Sequence, residues 1–217
     1  AVAVSQEASR TAHGLCGVEP EIVPNGVTVA NALPDQARKA QLLFVGRHEE
    51  RKGLEVLLEA SELMTESHCL AIVGQGPQSK DLQARYPEGP SRAWLGRVSD
   101  ADRDALLAKS AIYCAPSLGG ESFGVVLLEA MGLGAAVVAS AISGYEAAAN
   151  GHARLVPPGE PFALAEALDE QLRQWRDGEG WQASREAAFA YAQTLSLEVV
   201  ADRYLAIFEQ GLAARRH

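Results

Sequence analysis

Two short charged segments carry the residue types that can bind a phosphate ester and stabilise its cleavage. The first is Gly46-Arg47-His48-Glu49-Glu50-Arg51-Lys52-Gly53. Arg47 offers a planar fork of donors and Lys52 a point charge, and the two can converge on a diphosphate. On composition alone, a solvated turn accounts for these charges as well. The second is Gly119-Gly120-Glu121-Ser122-Phe123-Gly124-Val125-Val126-Leu127-Leu128-Glu129. Its glycines free the backbone for close approach, and Ser122 is expected to cap the helix that follows. The backbone N–H groups of Gly124, Val125 and Val126 then lie at a helix N-terminus, where an anion is favoured. Glu121 falls in the loop and Glu129 in the helix, and both can accept hydrogen bonds from sugar hydroxyls. A core helix with two incidental glutamates is the weaker account, because Glu129 interrupts an apolar stretch and needs a partner when buried.

Further segments carry weaker signals. In Gly96-Arg97-Val98-Ser99-Asp100, Asp100 stands three residues before Arg103, so the pair shares one face of a helix start. A carboxylate can accept from guanine N1–H and N2–H while a guanidinium donates to O6. A helix cap with a solvated arginine explains the pair too. Asp100-Ala101-Asp102 imitates a metal-binding DxD but reads as a cap and a surface carboxylate. Gly74-Gln75-Gly76 follows a strand, yet Ser79 stands where a dinucleotide fingerprint needs its third glycine, which speaks against a nicotinamide cofactor. His13, His48, His68, His152 and His217 are scattered and read as structural or solvated, with no metal site expected.

The elements that position these segments alternate. Strands are predicted at Gln41–Val45, Leu70–Val73, Ala93–Leu95, Ala111–Ala115, Ala136–Ala139 and Ala153–Val156. Helical periods fall at 53–66, 78–86, 100–109 and 122–131, then at 162–175, 180–191 and 197–212. Strand, glycine, helix in repetition predicts an α/β fold, a Rossmann-like parallel sheet with helices on both faces. Leu42-Leu43-Phe44-Val45 has no polar interruption, as a strand buried on both sides requires. Ligands bind such sheets at the carboxyl ends of strands, which selects the loops at 46–53, 74–79, 96–100 and 116–122. Val23-Pro24-Asn25-Gly26-Val27 reads as a linker, followed by a polar stretch to Lys39.

Composition narrows the class. The 217 residues are 47% hydrophobic and 22% charged with a net charge of -9, so nucleic acid and anionic lipid are poor partners and an anionic ligand needs a local cationic cluster. Cys16, Cys69 and Cys114 form no CxxC pair and read as buried thiols of a reducing compartment. No signal peptide is evident, and the apolar run Val125–Ala139 is broken by Glu129, Gly132 and Gly134. The chain opens on Ala1 without a Met and runs straight into Ala-Val-Ala-Val. That is read as a strand, and as a cut inside a longer polypeptide.

Gly46-Arg47, Arg51-Lys52-Gly53, and Glu121 followed by seven residues and Glu129 resemble the donor-site signatures of family 4 retaining glycosyltransferases with the GT-B fold. Tyr113 to Gly124 is similar to the phosphatidylinositol mannosyltransferases of actinobacteria. The resemblance spans roughly residues 20–212. It implies that Arg47 and Lys52 bind the donor diphosphate, that Glu121 contacts the transferred sugar, and that Glu129 contacts the ribose. Gly46, Gly74, Val98, Asp100, Arg103, Gly120, Phe123, Gly124, Val125 and Val126 would complete the donor site. It implies GDP-mannose as the favoured nucleotide sugar, with a lipid or glycan acceptor and no tightly bound cofactor beyond magnesium carried with the diphosphate. A UDP- or ADP-sugar, a binding module without turnover, and a GT-B epimerase stand as alternatives. Residues 1–26 would end an N-terminal acceptor domain, 27–195 bind the donor, and 196–217 form a helix crossing back. The partner would then be that acceptor domain, which would also carry the catalytic histidine and any membrane contact. The site would be cytoplasmic, at the inner face of the membrane, and the segment alone inactive.

Overall fold

The computed structural model describes residues 1–34 and 39–214. The chain begins with β1 (Val2–Ala3), α1 (Gln6–Cys16) and β2 (Glu21–Ile22). These two strands pair in parallel as a sheet of their own. The expected opening strand thus shrinks to two residues. Ser5 ends it by accepting a hydrogen bond from Ala8 N, 3.1 Å away, as the cap of a helix that the sequence reading did not contain.

The main body alternates as predicted: β3 (Lys39–Val45), α2 (Leu54–Leu63), β4 (Cys69–Val73), α3 (Ser79–Arg85), β5 (Arg92–Gly96), α4 (Asp100–Lys109), β6 (Ser110–Ala115), α5 (Val125–Gly132), β7 (Ala136–Ser140), α6 (Ser143–Ala149) and β8 (Arg154–Val156). Helices α7 (Pro161–Asp177), α8 (Glu179–Gln193) and α9 (Leu197–Ala214) follow. The six strands β3–β8 form one parallel sheet in the order β5-β4-β3-β6-β7-β8. Successive residues of β3 serve opposite layers. Leu42 and Phe44 join Leu54, Leu57 and Leu58 of α2 and Leu164, Leu168 and Leu172 of α7. Leu43 joins Leu127, Leu128 and Met131 of α5. Each fully buried leucine contributes about 1.5–3 kcal/mol.

Several local expectations need correction. Ser122 does not cap α5. The helix begins at Val125 after Gly124, whose φ of 76° is left-handed, so the 119–124 loop is longer than predicted. Asp100 is not a cap either: Ser99 caps α4 by accepting from Asp102 N at 3.1 Å, and Asp100 is the first helical residue. Cys114 is buried, but Cys69 is half-buried and Cys16 exposed. Helix α6 is an element the sequence analysis does not contain. In α9, Val200 is buried while Leu205, Phe208 and Leu212 are each about 60% exposed. The polar stretch before Lys39 lies partly outside the described residues, as does His217. Among the described residues no helix is long and apolar enough to cross a membrane.

Residues 27 and 196 meet at an isolated parallel bridge, with Val27 N donating to Leu195 O and Leu197 N to Val27 O, both at 3.0 Å. The two domain boundaries drawn from sequence therefore lie side by side.

Candidate functional site

The strand order creates the site. From the central pair β3 and β6, the chain builds outward through β4 and β5 on one side and through β7 and β8 on the other. Where the order reverses, a crevice opens beyond the carboxyl ends of the two central strands. The β3 loop and the β6 loop face each other across it. They touch because Gly53, at φ 66°, has no side chain: a Cβ there would stand 1.9 Å from Pro116 O. Leu118 N also donates to Arg51 O at 2.8 Å. This contact delivers the basic turn at Glu50–Lys52 to Glu121. Arg51 Nη1 lies 3.1 Å from Glu121 Oε1, and Lys52 Nζ pairs with the same oxygen. Lys52 and Glu121 are largely shielded, with side chains 19% and 14% exposed.

Arg47 takes a different place. Its side chain is 68% exposed and sits 3.6 Å from Glu49 Oε2, while Arg51 Nη2 holds Glu49 Oε1 at 2.7 Å. Glu49 therefore bridges Arg47 and Arg51, while Lys52 is paired with Glu121. Arg47 instead lines an open cavity of about 810 Å³ at the ends of β3, β4 and β5, together with Gly46, Gly74, Val98, Asp100 and Arg103. Gly46 N donates to Val73 O at 3.1 Å and Gly74 N to Gly96 O at 2.7 Å. Those two glycines form the cavity floor with their amides already used.

The far wall is charged. Arg103 reaches Asp100 at 3.3 Å and Asp104 at 3.0 Å, and lies 3.8 Å from Glu129 Oε1. The expected shared face of Asp100 and Arg103 is therefore formed, with Glu129 added to it. Burial raises the pKa of Glu129. Arg103 opposes that shift, and Asp104 and Asp100 add to it. Val125 and Val126 provide the first-turn amides of α5, which have no acceptor within the helix. Phe123 is buried in the core, so only its backbone remains for a ligand. Gly120 and Glu121 face a second cavity of about 690 Å³, whose other wall is α1. Among the described residues no group of three or more His, Cys, Asp or Glu could hold a metal ion.

His48 is structural, as expected. It is buried, its Nδ1 lies 2.9 Å from Ser79 Oγ, and burial lowers its pKa. Arg51 stood in the quoted motif without a role, although it shares Glu121 with Lys52. Arg97 and Gln75, which line the larger cavity, have no role assigned from the sequence, and neither have Ser117 and Tyr145, which lie behind Glu121.

A parallel doubly wound sheet with this crevice is the architecture of one half of a GT-B glycosyltransferase. The glycosyltransferase of Rickettsia africae superposes with a TM-score of 0.81 at 23% identity, covering 97% of this chain and 63% of that one. Anabaena HepE, solved with UDP-glucose, gives a TM-score of 0.77 at 20% identity, covering 96% and 63%. Residues 39–174 match the family described as glycosyl transferases group 1. The phosphatidyl-myo-inositol mannosyltransferase of Mycobacterium leprae is 39% identical over 189 residues, 79% of this chain and 49% of the relative. The chain belongs to the group 1 glycosyl transferases. It spans about half the length of the curated relatives it matches.

Proposed function

We propose that this chain is the donor-binding part of a retaining glycosyltransferase that uses GDP-mannose and glycosylates a lipid or glycan acceptor. One observation carries the reading. Lys52, Arg51 and Glu121 meet at the switch point of the sheet, Arg47 of the same loop lines a cavity that reaches Asp100 and Arg103, and Glu129 stands 3.8 Å from Arg103. A nucleoside diphosphate sugar has the matching order of parts: base, ribose, diphosphate, sugar. The base lies toward Asp100 and Arg103, the ribose hydroxyls at Glu129, the diphosphate between Arg47, Lys52 and the α5 N-terminus, and the sugar at Glu121. Relatives named as phosphatidyl-myo-inositol mannosyltransferases support mannose as the sugar.

In this reading the bond from the anomeric carbon to the phosphate oxygen breaks as the acceptor oxygen attacks from the same side. The departing phosphate takes the acceptor proton. Cations at the diphosphate stabilise the charge that develops there. No tightly bound cofactor belongs to the reading. Magnesium would enter with the diphosphate, where Arg47 and Lys52 already supply positive charge. The reading places the site in the cytoplasm, at the inner face of a membrane, with the acceptor bound against a further domain of the same polypeptide.

Titration calorimetry of the chain with GDP, UDP and ADP, then GDP-mannose, tests this. GDP is expected to bind tightest. A UDP-sugar donor is the second reading, favoured by the UDP-glucose complex of HepE, and tightest binding of UDP selects it. No binding of any of the three overturns both.

A further inference from the structure

Behind Glu121 lies a buried polar contact that the donor-site reading does not use. Tyr145 of α6 is 1% exposed, and its ring packs in the core layer against α5. Its hydroxyl reaches Ser117 Oγ at 2.8 Å. Ser117, itself 1% exposed, directs that oxygen toward Glu121 Oε1 at 3.5 Å. The proton order follows from the acceptor at the end of the row. A carboxylate accepts, so Ser117 donates to Glu121 and Tyr145 donates to Ser117. Burial pushes the tyrosine up to about 12, so it keeps its proton at neutral pH and remains a donor.

The surrounding backbone is built to bring this tyrosine in. Gly144, just before it, lies so close to the Glu121 carbonyl that a Cβ would stand 2.0 Å from the oxygen. On the other side, a Cβ on Gly124 would stand 2.7 Å from the Tyr145 ring. The start of α6 is therefore wedged under the 121–124 loop at both ends, with the hydroxyl delivered between them. Phenylalanine would fill the same space, so packing alone gives no reason for the hydroxyl.

We propose that Tyr145 is a positioning residue that acts through Ser117 to hold the Glu121 carboxylate in the orientation that receives the transferred sugar. The assignment rests on the donor-site reading above. Arg51 and Lys52 pull on Oε1 from the solvent side of the loop, and Ser117 meets the same oxygen from the buried side. Without the inner contact the carboxylate follows its cations, and those cations turn to the diphosphate when one binds. The inner contact keeps Glu121 in place when Lys52 changes partner.

The test compares a nucleoside diphosphate with its sugar conjugate in wild type, Tyr145→Phe, Ser117→Ala and the double variant. The ligands are GDP with GDP-mannose and UDP with UDP-glucose, measured by calorimetry. Tyr145→Phe keeps the ring that packs against Gly124, and circular dichroism with thermal melting checks the fold of each variant. The expected result is a three- to tenfold loss of affinity for the sugar conjugate that wild type binds, with the free diphosphate unchanged. Ser117→Ala should lose the same factor, and the double variant no more than either single one, because both remove one linked interaction. Equal losses for diphosphate and conjugate would make the contact merely structural and overturn the proposal. An unchanged ratio in both variants overturns the positioning role while leaving the donor site standing. Failure of wild type to bind any of the four ligands overturns the donor-site reading and this assignment with it.

Discussion

Arg103 Nη2 stands 3.8 Å from Glu129 Oε1, and the same guanidinium holds Asp100 at 3.3 Å. One cation therefore links the carboxylate assigned to the base with the carboxylate assigned to the ribose. Removing Arg103 should act on both. Arg103→Ala is expected to shrink the preference for GDP over UDP and ADP, since the donor to guanine O6 is gone. It should also weaken all three nucleotides, since Glu129 loses its cation. Calorimetry on the variant separates the two effects. Losses equal across the nucleotides, with the GDP preference intact, would remove Arg103 from base recognition.

The raised pKa of Glu129 gives a pH dependence with a defined sign. Burial disfavours the ionised form, so the folded-state pKa lies above the ordinary 4.5. The folded protein binds this proton more tightly than the unfolded chain. Ionised Glu129 thus costs stability at neutral pH, and the cost disappears as pH falls below the ordinary value. Glu129→Gln should melt at a higher temperature than wild type at pH 7, with the gap closing toward pH 4. Nucleotide affinity should move the other way. It should fall in wild type as pH drops through the raised pKa, and should be low and flat in the glutamine variant. A variant that neither melts higher at pH 7 nor binds nucleotide more weakly would contradict the ribose assignment.

Lys52 and Arg47 are expected to contribute separately to diphosphate binding, because Lys52 is paired with Glu121 and Arg47 with Glu49. Lys52→Ala and Arg47→Ala should each cost about 1.5–3 kcal/mol of GDP affinity, the usual size of a lost charge-assisted contact. Ser117 still meets Glu121 when Lys52 is gone, so the loss in Lys52→Ala should be the same for GDP and GDP-mannose. Arg47→Ala should reduce both ligands equally. Unchanged affinity in both variants, with circular dichroism intact, would dismiss the cationic turn as solvated surface.

How much of this was legible beforehand depended on whether the signal was local. Leu42-Leu43-Phe44-Val45 announces a strand buried on both faces, and β3 is that strand, feeding two separate core layers. Asp100–Lys109 is a helix at the bounds its period suggested. Ser122 is a good capping residue by type, but the chain enters α5 through a left-handed Gly124, which residue type alone does not reveal. Helix α6, Ser-Gly-Tyr-Glu-Ala-Ala-Ala, has no apolar period to read, and α1 has only Ala8, Ala12 and Leu15 for a weak one. The pairing of Glu121 with both Arg51 and Lys52, and the approach of Tyr145 to Ser117, join residues from 28 to 70 positions apart. Such contacts exist only once the sheet has set the loops face to face.

Stability depends on a contact at the opposite end of the sheet. Asp169 of α7 is 6% exposed and accepts three hydrogen bonds from the turn after α2: Thr65 N at 2.9 Å, Thr65 Oγ1 at 2.6 Å and Glu66 N at 3.0 Å. Helix α2 ends at Leu63, Met64 N still donates to Ala60 O, and the carboxylate of α7 takes the next two amides and so closes the turn. The same two helices share the buried leucine layer on one face of the sheet. Asp169→Ala leaves two backbone donors and a hydroxyl without the acceptor that holds the turn, with water able to reach exposed Thr65. Hydrogen bonds to a charged group are worth about 1.5–3 kcal/mol each, but they are not additive when one acceptor serves them all, so a loss of about 3 kcal/mol is expected. Asp169→Asn keeps one acceptor oxygen and should lose about half of that. Urea denaturation reads both values, with the slope unchanged if only stability has moved. The turn precedes β4, at the amino ends of the strands, while the cation–carboxylate cluster lies at their carboxyl ends. GDP affinity of the folded Asp169→Ala protein should therefore equal that of wild type. A matching loss of affinity at temperatures where the variant is fully folded would show that the α2–α7 contact reaches the site through the sheet.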